Sequence, residues 1–321
     1  GRMHVAEKRR PQDGRVKTVT PAGGEVELRL STLPTAFGEK LVMRIFDPDV
    51  LLRSFTDLGL SGDDLKRWET MTGRPHGIVL VTGPTGSGKT TTLYSTLKGL
   101  ATEDVNVSTI EDPIEIVEDS FNQSQVQHKI EFDFAAGIRT LMRQDPDIIM
   151  VGEIRDKETA NIAVQAALTG HLVLSTLHTN DSTGAIGRLI DLGGEPYLLS
   201  SALIGVMAQR LVRTICPSCK TSYIAEAEMV ERYGWEDEKI MLSKGRGCAE
   251  CYDSGYKGRL AIHEVIENDP QLQRLIMAEA GREELVKYIE KAEIKTLFDD
   301  GLGRVRDGLT TVEEVSRVVA G

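Results

Sequence analysis

The chain has 321 residues, with 38 Lys plus Arg against 49 Asp plus Glu, giving a formal net charge of −11. That length is enough for about two domains with a real buried core, and 40% hydrophobic with 27% charged residues is the balance of a folded protein, not a disordered one. An acidic total argues against a nucleic-acid coat protein, which gathers basic residues. The longest uncharged stretch, 22 residues from Thr159 to Asn180, carries two His, a Gln and several Thr, so it is a poor membrane span. The first residues, GRMHVAEKRRPQDGR, lack the apolar core of a signal peptide. The four Cys fall in two CxxC pairs, which without an export signal reads as metal binding in the cytoplasm.

Residues 14–46 alternate polar and apolar positions, as in Val26, Leu28, Leu30 and then Leu41, Met43, Ile45. Turn signals at Ala22-Gly23-Gly24 and Phe37-Gly38 separate the runs, which predicts a small antiparallel meander. Residues 47–60 read as a linker, and Ser61 with Asp64 as a capping box opening a helix through about Thr70. From Gly77 the pattern changes. Short apolar runs (GIVLVTG, VNVSTI, DIIMVGE, HLVLSTLHT) alternate with helical periods (KTTTLYSTLKGL, FAAGIRTLMRQ, DKETANIAVQAAL). Repeated units of this kind predict a mainly parallel sheet covered on both faces. Residues 196–215 read as one long buried or amphipathic helix, 216–258 as a cysteine segment, and 270–320 as three further helical periods.

Gly83-Pro84-Thr85-Gly86-Ser87-Gly88-Lys89-Thr90 matches GxxxxGK[ST] in full, after an apolar strand and before a helix-forming run, and these residues with Thr91 are the candidates for binding nucleotide. Glycines let successive backbone N–H groups turn inward on phosphates, and the helix N-terminus adds its positive dipole end. Lys89 would reach the β- and γ-phosphates of ATP, and the Thr90 hydroxyl would ligate Mg2+. In open α/β sheets, ligands lie at the carboxyl ends of strands. Glu153 ends one apolar run there, either facing Mg2+ or capping the helix near Asp156. Glu111 and Glu115 bracket a proline turn after another, as general-base candidates or a solvated acidic turn. His178 follows a third run at its carboxyl end, and His171 precedes the same run, where a structural role is favoured.

Cys216-Pro-Ser-Cys219 and Cys248-Ala-Glu-Cys251 form two knuckles suited to tetrahedral Zn2+ in a closed structural site, with free or redox thiols as the alternative.

Taken in order, GPTGSGKTTTLY at 83–94, TIEDPIE at 109–115, RQDPDIIMVGEIRD at 143–156 and TGHLVLSTLHTN at 169–180 resemble four motifs of one family, the ATPases of type II secretion and type IV pilus assembly. They look like its Walker A loop, Asp box, atypical Walker B and His box. PQDGR at 11–15, the run at 29–47 and the C-terminal tail match as well. The resemblance implies a hexameric, RecA-like P-loop motor domain of α/β class over residues 61–215. Ahead of it would lie the latter part of a truncated α+β sheet domain (1–46) and a linker (47–60). A zinc-binding segment (216–258) and a helical C-terminal region (259–321) would follow. It implies Glu115 as catalytic carboxylate with Glu111 second, Glu153 in the Walker B role, His171 and His178 as the His-box pair, and Arg29 and Arg44 as arginines that reach the phosphates. It also implies an inner-membrane platform protein and a cytoplasmic adaptor as partners, peripheral membrane association through them, and no nucleic acid. The tetracysteine set fits the assembly branch, since retraction motors resemble the chain elsewhere but lack it. A DNA-competence motor shares every motif, and a zinc-ribbon helicase-like protein is disfavoured by the net charge of −11.

Overall fold

The computed structural model describes residues 3–19, 23–46, 54–235 and 239–320. The chain divides into two compact units, Gly1–Arg53 and Ser54–Gly321.

The first unit holds the expected meander: β1 (Gln12–Val19), β2 (Glu25–Thr35) and β3 (Gly38–Phe46), paired antiparallel in that order. The period-2 pattern sets its register. Leu28 lies between Val16 and Ile45, and Leu30 between Gly14 and Met43, on one face. Arg29 therefore falls on the other face, directly between Arg15 and Arg44. Residues 20–22 and 47–53, on which part of the first turn and half of the expected linker fall, lie outside the described residues.

The second unit begins with α1 (Gly62–Thr72). The helix stands where expected, but the capping box does not form. Ser61 makes no side-chain cap bond, and Asp64 is buried and pairs with Arg67 at 3.5 Å. There follow β4 (Gly77–Thr82), α2 (Lys89–Leu100), β5 (Val107–Glu111), β6 (Asn122–Gln125), α3 (Phe134–Leu141), β7 (Ile148–Val151), α4 (Lys157–Leu168), β8 (Leu172–Leu177) and α5 (Ser182–Asp191). Then come α6 (Pro196–Ala202), β9 (Leu203–Ile215), β10 (Lys220–Ile224), α7 (Ala227–Arg232), β11 (Met241–Gly245) and β12 (Tyr256–Glu267). Four helices close the chain: α8 (Pro270–Met277), α9 (Arg282–Lys291), α10 (Leu297–Arg306) and α11 (Val312–Val319).

Seven strands form one sheet in the order β12-β9-β4-β8-β7-β5-β6. Its pairs are parallel except β12 with β9. Strands β4, β5, β7 and β8 are buried along their whole length, as their near-continuous apolar runs require of a sheet covered on both faces. Ile78, Leu80, Ile110, Ile149 and Val173 pack with Phe134 and Ile138 of α3 and Ala163 and Ala167 of α4 in the main core.

Two expectations are corrected here. Residues 196–215 are not one helix: a short helix stops at Ala202 and a 13-residue strand follows. Strand β9 is buried on both faces from Leu203 to Arg210, so it has no alternation to betray it. The 259–321 stretch is not wholly helical, because β12 runs to Glu267 and adds an antiparallel edge to the sheet. A second core cluster (Val212, Leu242, Ile262, Val305, Val315) joins β9 and β12 to β11 and to the last two helices.

Candidate nucleotide site and cysteine cluster

The parallel register brings four chain turns to one edge of the sheet. Thr82 pairs with Leu177, Val151 with Ser175, and Ile110 with Val151. The residues just beyond these pairs are Gly83, His178, Glu153 and the Glu111–Glu115 turn, so all emerge at the carboxyl edge.

The 83–88 loop turns through Gly83, Gly86 and Gly88, with φ of +152°, +80° and +88°. A Cβ on Gly83 would meet the Gln209 carbonyl at 2.4 Å, and one on Gly88 would meet Gln209 Nε2 at 2.8 Å. Gln209 is the second wall of this loop: its Nε2 donates to the Ser87 carbonyl at 2.8 Å, and its Oε1 accepts from Thr92 Oγ1 at 2.8 Å. Lys89 Nζ donates to the carbonyls of Gly83 at 2.7 Å and Pro84 at 3.0 Å. Burial pushes its pKa down to about 8, with Glu153 opposing and Arg210 reinforcing the shift. An ammonium that can satisfy itself only on its own loop's carbonyls fits a site for anionic phosphates. Pro84, Thr85 and Gly86 are exposed at the loop crest, and Thr90 and Thr91 are half-buried on the first turn of α2.

Glu153 is held between Arg155, with which it forms a close ion pair, and His178, whose Nε2 lies 3.4 Å from its carboxylate. Its backbone is fixed on both sides: Gly152 N–H donates to Ile110 at 2.8 Å and Thr176 Oγ1 to the Gly152 carbonyl at 2.7 Å. The helix-capping role open to Glu153 belongs to Asp156, which accepts from Thr159 N–H at 2.8 Å. Burial and then Lys89 lower the His178 pKa, and Glu153 opposes them.

The two turn glutamates differ. Glu111 is 3% exposed and accepts from Tyr94 Oη at 2.6 Å, Thr109 Oγ1 at 2.7 Å and Gln123 Nε2 at 3.3 Å. Burial pushes its carboxyl up against these bonds. Glu115 is half-buried, two residues after a cis Asp112-Pro113 bond. Asp112 faces Arg155 at 3.7 Å and His128 at 3.5 Å.

Not every candidate reaches this edge. His171 lies at the opposite end of β8, where its Nδ1 is 2.8 Å from the Ala166 carbonyl, a strand length of roughly 20 Å from His178. Arg29 and Arg44 belong to the first unit and are cross-strand partners there. Sequence reasoning missed Tyr94, Arg155, Gln209 and Arg210. The last two carried a visible signal, polar residues inside an apolar run, which the helical reading of 196–215 concealed.

The four thiols sit apart from this edge. Cys216, Cys219, Cys248 and Cys251 place their Sγ atoms within 4.8 Å of one another. Three of the Sγ pairs stand at 3.9, 3.9 and 3.7 Å. A disulfide needs about 2.05 Å, whereas four thiolates about 2.3 Å from a tetrahedral centre stand roughly 3.8 Å apart. Backbone N–H groups of Cys248 and Gly255 point at Cys251 Sγ, at 3.2 and 3.3 Å. This set could hold one metal ion.

A buried parallel sheet that delivers a glycine-rich phosphate loop, an acid and a histidine to its carboxyl edge defines a RecA-like P-loop protein. Comparison with known proteins narrows the class. A family model described as "Type II/IV secretion system protein" matches residues 1–317, and the chain belongs to that family. It is 57% identical over 99% of its length to the type IV pilus assembly ATPase TfpB of Acinetobacter baylyi, of which it covers 55%. It is 49% identical over 99% of its length to the type II secretion system ATPase E of Vibrio cholerae, of which it covers 63%. Among solved structures it resembles the pilus retraction motor PilT with bound ADP, at TM-score 0.68 and 27% identity, covering 96% of this chain and 77% of that one. The chain thus spans 55% and 63% of the length of these two curated relatives.

Proposed function

We propose that the protein hydrolyses ATP to drive assembly of a pseudopilus or type IV pilus, for secretion or pilus extension. The observation that carries this reading is the meeting of Lys89, Glu153 and His178 at one sheet edge. In this reading the backbone N–H groups of the loop and Lys89 hold the phosphates. Thr90 and Glu153 hold Mg2+, which supplies charge neutralisation when bound. Glu115 is the general base, and the more open position of its turn supports it over Glu111, whose lone pairs are taken by three side chains. Arg29 and Arg44 stabilise transition-state charge. Their direct cross-strand pairing supports this, with Arg15, Arg29 and Arg44 standing in a row and Glu27 beside Arg15 at 3.7 Å. Zn2+ in the four thiols is structural.

The working form is a homohexamer at the cytoplasmic face of the inner membrane, docked through an adaptor and a platform protein. Among the described residues no helix is long and apolar enough to cross a membrane, which suits attachment through partners. A retraction motor is the second reading, favoured by the likeness to PilT. The higher identity to an assembly ATPase and the tetracysteine set favour assembly.

The test is Glu115→Gln beside Glu111→Gln in the full-length protein. Glu115→Gln keeps Mg-ATP affinity and lowers turnover by about 100-fold, the usual worth of a general base. A variant that hydrolyses ATP like the parent, or a larger loss of turnover with affinity intact in Glu111→Gln, overturns the assignment.

A further inference from the structure

Arg210 follows Gln209 on β9, so the two side chains leave opposite faces of the strand. Gln209 grips the phosphate loop, while Arg210 grips the other side of the same edge. It is 3% exposed. Its Nη2 donates to the Asn180 carbonyl at 3.0 Å and to Asn180 Oδ1 at 3.2 Å. Its Nη1 is buried with no hydrogen-bond partner. A buried cationic N–H without an acceptor is costly, so a protein that retains one has a use for it.

The loop that Arg210 holds joins β8 to α5 and begins at His178. It is tied at three further points. Thr179 N–H donates to Thr82 Oγ1 at 3.0 Å, next to the phosphate loop. Asp181 accepts from Gly184 N–H at 2.7 Å and pairs with Arg282 at 2.5 Å. Ser182 is bonded to the buried Glu264. Asn180 is exposed and is held here by Arg210. The guanidinium is also close enough to Lys89 to help depress that ammonium's pKa, so two cations share this edge. Asp181 also acts on the guanidinium, but Nη1 stays a buried donor with no acceptor beside a second cation, and such a donor suits an anion.

We propose that Arg210 is a sensor of the nucleotide's terminal phosphate, answering it through Nη1 and transmitting its presence through Asn180 to the loop that carries His178. The inference rests on the ATP-hydrolysing reading and adds a residue that tells ATP from ADP. With ATP bound, the guanidinium bridges phosphate and loop. With ADP, Nη1 loses its acceptor and the hold on Asn180 is all that remains. Differential contact with the two nucleotides is what any such switch requires.

The experiment uses Arg210→Lys and Arg210→Gln in the full-length protein. Arg210→Lys keeps the charge but not the two-pronged fork. Each is titrated with Mg-ADP and with a non-hydrolysable Mg-ATP analogue, beside steady-state turnover and thermal denaturation without nucleotide. The expected result is ADP affinity within about twofold of the parent, analogue affinity lowered about tenfold in Arg210→Gln, and a fall in kcat. Arg210→Lys shows the same change of ratio in smaller measure. An unchanged analogue-to-ADP ratio overturns the proposal, and so does an equal loss of both affinities with a lowered melting point, which marks a purely structural arginine. If Arg210→Gln does not fold, Arg210→Lys decides alone. A parent protein that does not turn over ATP overturns the underlying reading instead, independently of the variants.

Discussion

Gly88→Ala tests whether β9 is the second wall of the phosphate loop. Gly88 has φ +88°, where an L-residue costs about 1–2 kcal/mol. Its new Cβ would stand 2.8 Å from Gln209 Nε2, so the amide must swing away. That breaks two bonds, one to the Ser87 carbonyl and one from Thr92, each worth about 0.5–1.5 kcal/mol. The single change therefore destabilises the closed loop by about 2–5 kcal/mol. Gln209→Ala loses the same two bonds without the backbone strain, about 1–3 kcal/mol. The double variant cannot lose those bonds twice, so the cycle is sub-additive by about 1–3 kcal/mol. The assay is titration with a fluorescent nucleotide across all four proteins. Gly88→Ala alone weakens binding by at least about tenfold, and adding Gln209→Ala to it costs little more. Full additivity would mean that Gln209 and the loop act independently and would refute the reasoning.

Three further outcomes are expected. Metal analysis of the purified protein gives close to one Zn per chain, and Cys248→Ser lowers that content while leaving nucleotide affinity intact; metal-free protein with four reactive thiols refutes the site. Burial pushes the Glu314 carboxyl up, but Arg317 at 2.7 and 2.9 Å and Arg213 at 2.7 Å bring it down to about 2. A depressed carboxyl contributes stability that is whole above its unfolded pKa and lost as pH falls from about 4.5 towards 2, here up to about 3 kcal/mol. Glu314→Gln should thus lower the melting point at pH 7 and lose less than the parent on acidification; parallel curves would refute it. Arg29→Ala and Arg44→Ala should each cut hydrolysis about tenfold, about 1.4 kcal/mol, with Mg-ATP binding retained, and full activity in both would leave the small sheet as a spacer.

The parts of the site that a local pattern encodes were legible. The loop from Gly83 to Thr90, the acid after Val151 and the histidine after Leu177 each close an apolar run of four to six residues, so strand ends could be read directly. The meander was legible because one face is apolar and the other polar, which put Arg29 and Arg44 on one face before their direct pairing was seen. Strand β9 was not. A strand buried on both sides shows no period, and SALIGVMAQRLVRTI satisfies a helix as well as a strand until its neighbours are known. Strand β12 hid behind Gly258, His263 and Glu264, whose side chains are acceptable only because burial partners lie elsewhere in the chain, such as Ser182 for Glu264. Helix α10 is the fourth helix of a tail in which three periods were expected, and its Gly301 and Gly303 weaken its helical signal. The ordering of Glu111 as a strut needed Tyr94, 17 positions away, and no short pattern reports such a contact.

The position of the four thiols bears on how the sheet's antiparallel edge comes to be built. Strand β9 ends at Ile215 and Cys216 follows at once, while β12 starts at Tyr256, five residues after Cys251. The cysteines therefore gather the two mouths of an excursion of about 40 residues. Closing a loop of that size costs about (3/2)RT ln n, and shrinking it to a few residues recovers roughly 2 kcal/mol. A metal ion held there would gather these mouths and make a distant pairing a hairpin in all but name, so that β12 would dock on β9 without a long search. The excursion is not dispensable, because its Leu242 packs with Ile262, Val305 and Val315 in the second core, but separating the thiols should slow sheet assembly even where the finished fold is the same.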